Sequence, residues 1–508
     1  MNMSNFLIHE SKSRLLSAIN AIQSFRHLNQ FLVFLFFVIC AGHNILSHPL
    51  WRDETDAWLV ARDSTSITNL LNNVKYTGRP PLWYLVLYCA TRLSVDVKML
   101  QVITFLITGM VVALIVFLLI CPLTLKILML SGFYFLFGFS VLSRDYSIIL
   151  LFVVLLSILF QRQIPTIRKL TLILLICFPL SSVNIFGVFI ALSVLASIIL
   201  PNLSLALKNF RRWRTIFLLV SLNTVWAFVM ILISIPPKDA YFAANPPYEI
   251  HNLSFNTLKI VFWKTIGFFS QTIFPFWGNY QVSHITIVPF IFGFLFIILL
   301  IRQLENNLRV FALSAFSLFY LFHIFGYSPF WWHRGSLSIL LIMLGILNFS
   351  NHLYSTNDIN RFTIITLLII QICGSIFGLG RTFWESNPYS YAKNASEFLS
   401  SLCQKNVILV AENDLSSSAI SAYLPSFRFF YLNRSEYGTF TSWKVGDFGK
   451  KVSSWSEIRI ESADVVPCAY VLPVDSKAEP PNTFQVVRFS GSIWGDDYKI
   501  VYPRNGKT

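Results

Sequence analysis

Phe31-Leu32-Val33-Phe34-Leu35-Phe36-Phe37-Val38-Ile39-Cys40 runs without a charge, and soon after it the chain reads Trp51-Arg52-Asp53-Glu54-Thr55-Asp56. These two stretches decide the fold class. Extended over 28–46, the apolar run is long enough to cross the roughly 30 Å hydrocarbon core of a bilayer as a helix. Charged residues follow it without a small-residue cleavage site, so it reads as a retained first span and not as a removable leader.

The whole chain fits that reading. Its 508 residues are 55% hydrophobic and only 12% charged, with a mean hydropathy of +0.62. A soluble domain carries about 25% charged residues, so this much apolar surface needs lipid to accept it. Further apolar runs fall at 99–121, 124–142, 146–161, 170–183, 185–201, 215–235, 284–301, 309–327, 335–350 and 362–380. With the first they make about eleven spans. Lys12, Arg14 and Arg26 precede the first span and place the N-terminus in the cytoplasm. An odd number of crossings then puts the tail outside.

The net charge of +15 does not indicate nucleic acid. From Arg381 onward there are 14 basic and 13 acidic residues, which leaves 25 bases against 11 acids among the apolar segments. A basic excess between spans is what positive-inside topology produces. No nucleic-acid partner is expected.

The expected architecture is a polytopic α-helical membrane domain over 1–380 and a small extracytoplasmic α/β domain over 381–508. In the tail the pattern predicts helices at 389–402 and 416–424. It predicts strands at 407–411, 428–432, 465–474, 484–489 and 498–502. Cys403 and Cys468 are the two cysteines of this region and could pair. No glycine-rich nucleotide loop is present. The loop 47–98 is expected to hold the active site. Within it, Pro80-Pro81 starts an aromatic helix expected at the outer interface. A second outer segment, 236–283, includes a stretch, 255–274, expected as an interfacial amphipathic helix.

Acids of the membrane part are few and one-sided. Glu10, Glu305 and Asp358 fall inside, whereas Asp53, Glu54, Asp56, Asp63, Asp96, Asp145, Asp239 and Glu249 all map outside. Acids are not governed by the positive-inside bias, and a carboxylate near lipid is costly unless it is paired or functional. Neighbouring carboxylates also raise one another's pKa, which suits general-base work. The plain alternative is a hydrated acidic loop. Three further features lie at the same level. Arg79-Pro80-Pro81-Leu82-Trp83-Tyr84 puts a guanidinium at a helix start, where a phosphate is well received, although an arginine snorkelling beside interfacial rings would look the same. Ser143-Arg144-Asp145-Tyr146 joins two spans, where an ordinary capping ion pair is the plainer reading. Trp332-His333-Arg334 opens another helix, and its lone histidine is no metal ligand by itself.

Taken in order, these features resemble the membrane-embedded glycosyltransferases of the GT-C fold, in particular the protein mannosyltransferase and lipid A aminoarabinose transferase group. The resemblance is carried by Arg52-Asp53-Glu54 after the first span, Arg79-Pro80-Pro81-Leu82 before an aromatic helix, and Ser143-Arg144-Asp145-Tyr146. It implies a polyprenyl-phosphate sugar as donor and a glycan, lipid or protein hydroxyl as acceptor. It implies Asp53 as general base, with Glu54 orienting the acceptor or assisting the base. Arg79 and Arg334 would meet the donor phosphate. Arg52, Asp56, Tyr84, Arg144 and Asp145 would support the site. A divalent metal, held by Asp145 and Asp53, is used by some relatives and not by others, so no cofactor is fixed. A bacterial inner membrane is the implied location. The rival reading is a transporter or flippase of lipid-linked saccharides. Transporters place ionisable groups at the midplane and build from repeats, and neither is found here.

Overall fold

The computed structural model describes residue 25 and residues 27–161, 166–244, 255–274, 287–325, 331–351, 358–384, 388–447, 454–461, 467–492 and 495–504. The chain is mostly helical, and helices lie over the apolar runs. Among the described residues, six helices are long and apolar enough to cross a membrane: His27–Ser47, Lys98–Leu118, Ile185–Lys208, Phe210–Ile233, Asn306–Phe325 and His333–Ser350. The others are shorter or broken. Tyr146–Gln161 and Ile287–Gln303 fall short of that length, as does the apolar part of the last helix, Arg361–Ile376.

The expected span 124–142 is two helices, Leu123–Leu130 and Tyr134–Val141, bent by 61°. The break falls at Ser131-Gly132, the kind of pair at which helices kink. A Cβ on Gly132 would stand 3.0 Å from the Met129 carbonyl and 3.1 Å from Gln371 Cβ. The Ser131 carbonyl that the break frees accepts from Ser375 Oγ at 2.7 Å. A neighbouring helix thus satisfies what the break exposes, as hydrocarbon requires.

The stretch expected as an interfacial helix differs from that expectation. Phe255–Ile273 packs into the bundle against Ile287–Gln303, Asn306–Phe325 and Trp331–Asn351. Phe268, Ile266 and Ile273 are buried. Lys264 is buried within this packing and donates to the Ile324 carbonyl at 2.9 Å. A close approach also depends on Gly293, whose absent Cβ would lie 2.6 Å from the Phe269 carbonyl.

Three short helices follow the first long one: Arg52–Asp63, Ile67–Val74 and Leu82–Thr91. Gly78, at φ +66, turns the chain between the last two. That left-handed conformation is cheap only for glycine. Trp83, Tyr84 and Leu87 are buried, so Leu82–Thr91 packs on Arg52–Asp63 rather than floating among headgroups. Arg92 ties the pair together, stacking on Tyr88 and donating to the Arg62 carbonyl at 2.8 Å.

The tail is an α/β unit with one six-stranded sheet. Its strands are β1 Ile408–Ala411, β2 Arg428–Tyr431, β3 Glu436–Gly438, β4 Ala469–Pro473, β5 Phe484–Phe489 and β6 Tyr498–Pro503, in the order β3-β2-β1-β4-β6-β5. β1 pairs parallel with β2 and β4, and the other pairings are antiparallel. Helix Asp414–Tyr423 makes the β1–β2 crossover, and Asn413 caps it by accepting from Ser416 N–H. Cys403 and Cys468 form a disulfide that ties the end of helix Ala392–Leu402 to the start of β4. In doubly wound sheets the crevice at the carboxyl end of such central strands takes ligands. Here the chain's own segment 439–447 fills it: Ser442 N–H donates to Asp414 at 2.6 Å, and Asn433 donates to the Asp447 carbonyl at 2.6 Å.

Candidate active site

The helix Arg52–Asp63 begins without a capping side chain of its own, because Trp51 offers no acceptor. Glu54 does part of that work by accepting from Trp51 N–H at 3.1 Å. The same carboxylate accepts from Ser143 N–H at 2.6 Å and meets His48 Nε2 at 2.8 Å. Glu54 is fully buried and its two oxygens are occupied. Its geometry is that of a brace between the first loop and the 143–146 turn.

Asp53 is different. About a third of its side chain (32%) is exposed. Arg144 Nη1 donates to its Oδ2 at 3.1 Å, and Arg52 Nε lies 3.6 Å from its Oδ1. Asp145, next to Arg144, is buried. Its Oδ2 accepts from Asn184 Nδ2 at 2.6 Å, and its Oδ1 has no hydrogen-bond partner among the described residues. Asn184 meanwhile caps helix Ile185–Ile199 by accepting from Phe186 and Gly187 N–H. One side chain thereby fixes both a helix start and an acid.

Arg79 faces this group. Burial opposes its charge, but the fields of Tyr84, Asp145, Tyr146 and Asp53 outweigh that cost and hold the guanidinium protonated. It lies within 4.0 Å of no carboxylate among the described residues. Arg334 is 6% exposed, has no carboxylate partner among the described residues, and faces the Tyr134 phenol. Its Nε has no hydrogen-bond partner there. Gly335 brings the ring in: a Cβ there would stand 2.4 Å from Tyr134 Cε1. His333 feels the fields of Arg79, Arg144 and Arg334 together. Its ring lies 6.0 Å from that of Tyr146 and 5.5 Å from that of Phe186.

Asp56 turns away from Asp53 toward the tail. It accepts from Thr441 N–H at 3.1 Å and faces Trp443 Nε1 at 3.4 Å. Burial pushes its pKa up to about 6, with Asp53 adding to the effect against the two hydrogen bonds. The remaining outer acids also have partners. Asp63 binds Arg62 and Thr439, Asp96 accepts from Lys98 N–H at 2.9 Å, and Asp239 accepts from the Tyr76 hydroxyl at 3.1 Å. Glu249 lies outside the described residues, as does most of the loop part of the segment 236–283 expected to cover the site. Its described part reaches the tail, Tyr241 N–H donating to the Trp443 carbonyl at 2.7 Å.

The donor set does not build a cation site. Asp53 and Asp145 each have one oxygen engaged by an arginine or an amide, arginines surround both, and no three metal-ligating side chains converge among the described residues. Such a field repels a dication and attracts an anion.

His48, Asn184, Tyr134 and Tyr423 escaped the sequence reading. Asn184 carried a signal, an asparagine directly before an apolar run. Tyr134 and Tyr423 are single residues whose partners lie far away in the chain, and His48 meets the nearby Glu54 only because the chain turns between them.

No family model matches the chain, and no curated protein does. Among solved structures it is similar to ArnT from Cupriavidus metallidurans, crystallised bound to undecaprenyl phosphate. The identity is 10% and the TM-score 0.49, over 93% of this chain and 97% of that one.

Proposed function

We propose that the protein is an integral-membrane glycosyltransferase. It moves a sugar from a polyprenyl-phosphate donor to an acceptor hydroxyl of a glycan, a lipid or a protein, on the outer face of a bacterial inner membrane. The N-terminus is cytoplasmic and the tail extracytoplasmic. The disulfide of the tail supports that sidedness, because such bonds persist in oxidising compartments. The observation that carries the reading is Arg334. A buried guanidinium with no carboxylate partner among the described residues costs several kcal/mol, on the order of what an ion loses on desolvation. A membrane protein keeps such a group for an anion that arrives.

In the proposed reaction the Asp53 carboxylate accepts the proton of the acceptor hydroxyl. The acceptor oxygen bonds to the anomeric carbon, and the bond from that carbon to the phosphate oxygen breaks. The electron pair leaves with the polyprenyl phosphate. Arg79 and Arg334 meet the developing phosphate charge, preorganised in place. Arg144 fixes the direction of Asp53, and Glu54 fixes the loop that carries Arg144. Asn184 fixes Asp145.

One broken helix, Leu123–Leu130 with Tyr134–Val141, favours the transporter reading, since transporters break helices at their sites. They do so in pairs, and this is one bent pair among the described residues. The deciding experiment uses detergent micelles, which have no second compartment. Purified protein is given a panel of polyprenyl-phosphate sugars and candidate acceptors. A transferase releases polyprenyl phosphate there, and a transporter releases none. Failure across the panel, with the protein folded, sinks the proposal.

A further inference from the structure

The helix that carries Asp53 is held at its N-terminus by the far end of the chain. Arg52 N–H, the first of its unpaired donors, is bonded at 2.9 Å by Asp496 Oδ2, 444 residues away. Two residues before, Leu50 N–H donates to the Tyr423 hydroxyl at 2.9 Å. Further along the same helix, Asp56 accepts from Thr441 N–H and Asp63 from Thr439. All four partners belong to the tail. Asp496 is 3% exposed and is anchored in its own domain, where its carbonyl accepts from Tyr391 N–H at 3.1 Å. Arg52, Asp53, Tyr423 and Tyr498 surround it electrostatically.

A helix N-terminus needs acceptors for its free N–H groups and favours negative charge. Trp51 supplies neither. Asp496 supplies both, and it does so one residue before Asp53. The geometry points to Asp496 as a positioning residue of the active site, a cap delivered from the tail that sets the direction of Asp53; this rests on the transferase reading for its consequence but not for its structure. Tyr423 is its companion. The tail is then a working part of the site and not an appended module. Its ligand crevice is filled by its own segment 439–447, and that segment delivers Thr439 and Thr441 to the same helix.

The test compares Asp496→Ala and Asp496→Asn with the unchanged protein in lipid nanodiscs. Amide hydrogen exchange is followed in peptides covering 51–56 and, as the domain control, 498–503. Losing a helix cap costs about 1 kcal/mol, so exchange at 52–55 is expected to quicken by about fivefold in the alanine variant. The asparagine variant keeps an acceptor oxygen and is expected to recover most of the protection. Strand β6 is expected to keep its protection in both. Transfer, measured in parallel, is expected to lose kcat in the same order while KM for the donor stays within about twofold, as for an effect confined to the reacting group. Unchanged exchange at 52–55 in the alanine variant overturns the inference. So does equal loss of protection in β6, which makes Asp496 a structural residue of its own domain. If the unchanged protein transfers nothing, the proposed function falls while the exchange result still decides the cap.

Discussion

Arg144 reaches across 91 residues of sequence to put Nη1 3.1 Å from Oδ2 of Asp53. The pair joins the first outer loop to the turn between the third and fourth expected spans. It makes Asp53 a carboxylate of fixed direction with one edge still open to the outside. Asp53→Asn removes the proposed proton acceptor and keeps the shape. Transfer is expected to fall by about 10²–10⁴-fold, measured as released polyprenyl phosphate, with thermal stability nearly unchanged. Near-normal turnover in that variant would exclude Asp53 as the base.

Arg334→Met separates function from stability. The substitution removes a buried charge that has no carboxylate partner among the described residues. Stability of the donor-free protein is expected to hold or rise, because an uncompensated buried ion is itself a cost. Transfer is expected to drop by about 10²–10³-fold, the usual loss for one preorganised donor to a developing anion. A melting curve and a rate taken on one preparation check both halves.

Gly335→Ala tests how tightly the phenol is pressed onto that arginine's helix. The added methyl would stand 2.4 Å from Tyr134 Cε1 and 3.0 Å from Phe139 Cζ. The bundle must shift, at a cost of about 1–3 kcal/mol. A lower melting temperature is expected, together with weaker donor binding as Tyr134 moves from Arg334.

Asp56 gives the pH dependence. Its folded pKa, about 6, lies above the ordinary aspartate value. The folded protein therefore holds that proton more tightly than the unfolded chain. Its contribution favours folding at low pH and is lost as pH rises from about 4 to 6, with the full penalty above. Asp56→Asn is expected to raise the melting temperature at pH 7.5, by an amount worth on the order of 1–3 kcal/mol, and to change little at pH 4. Thermal melts of both proteins across that range decide it.

The Cys403–Cys468 bond closes a loop over a sequence separation of 65. Reduction or Cys403→Ser is expected to cost the tail about 2–4 kcal/mol, read from its urea midpoint. Labelling of the reduced thiols in intact cells by an impermeant reagent reports which side the tail occupies. Labelling confined to opened, inside-out vesicles would reverse the proposed sidedness.

The apolar runs were legible in the sequence because a bilayer imposes a length, and helices lie over them. The bend at Ser131-Gly132 was not, since hydropathy does not register where a helix breaks. Phe255–Ile273 misled for a related reason. Amphipathic character does not tell whether an apolar face meets lipid or other helices, and here it meets Ile287–Gln303, Asn306–Phe325 and Trp331–Asn351. In the site, the types and order of Asp53, Arg79, Arg144 and Asp145 were legible. Their division of labour was not. Asp53 and Glu54 are adjacent in sequence, yet a helix points one outward and buries the other against Ser143. Asp56, expected as support, turns out to face Thr441 and the tail. Contacts of that kind join residues hundreds of positions apart, and local pattern carries no trace of them.

The cap on Arg52 also has a consequence in time. A ribosome makes Arg52 444 residues before Asp496, so the helix bearing Asp53 reaches the membrane long before its cap exists. A chain that stalls before residue 496 would carry the Asp53 helix with its Arg52 N–H uncapped. Synthesis order then sets when that helix is fixed: its first turn takes its final direction only once the last strands are in place.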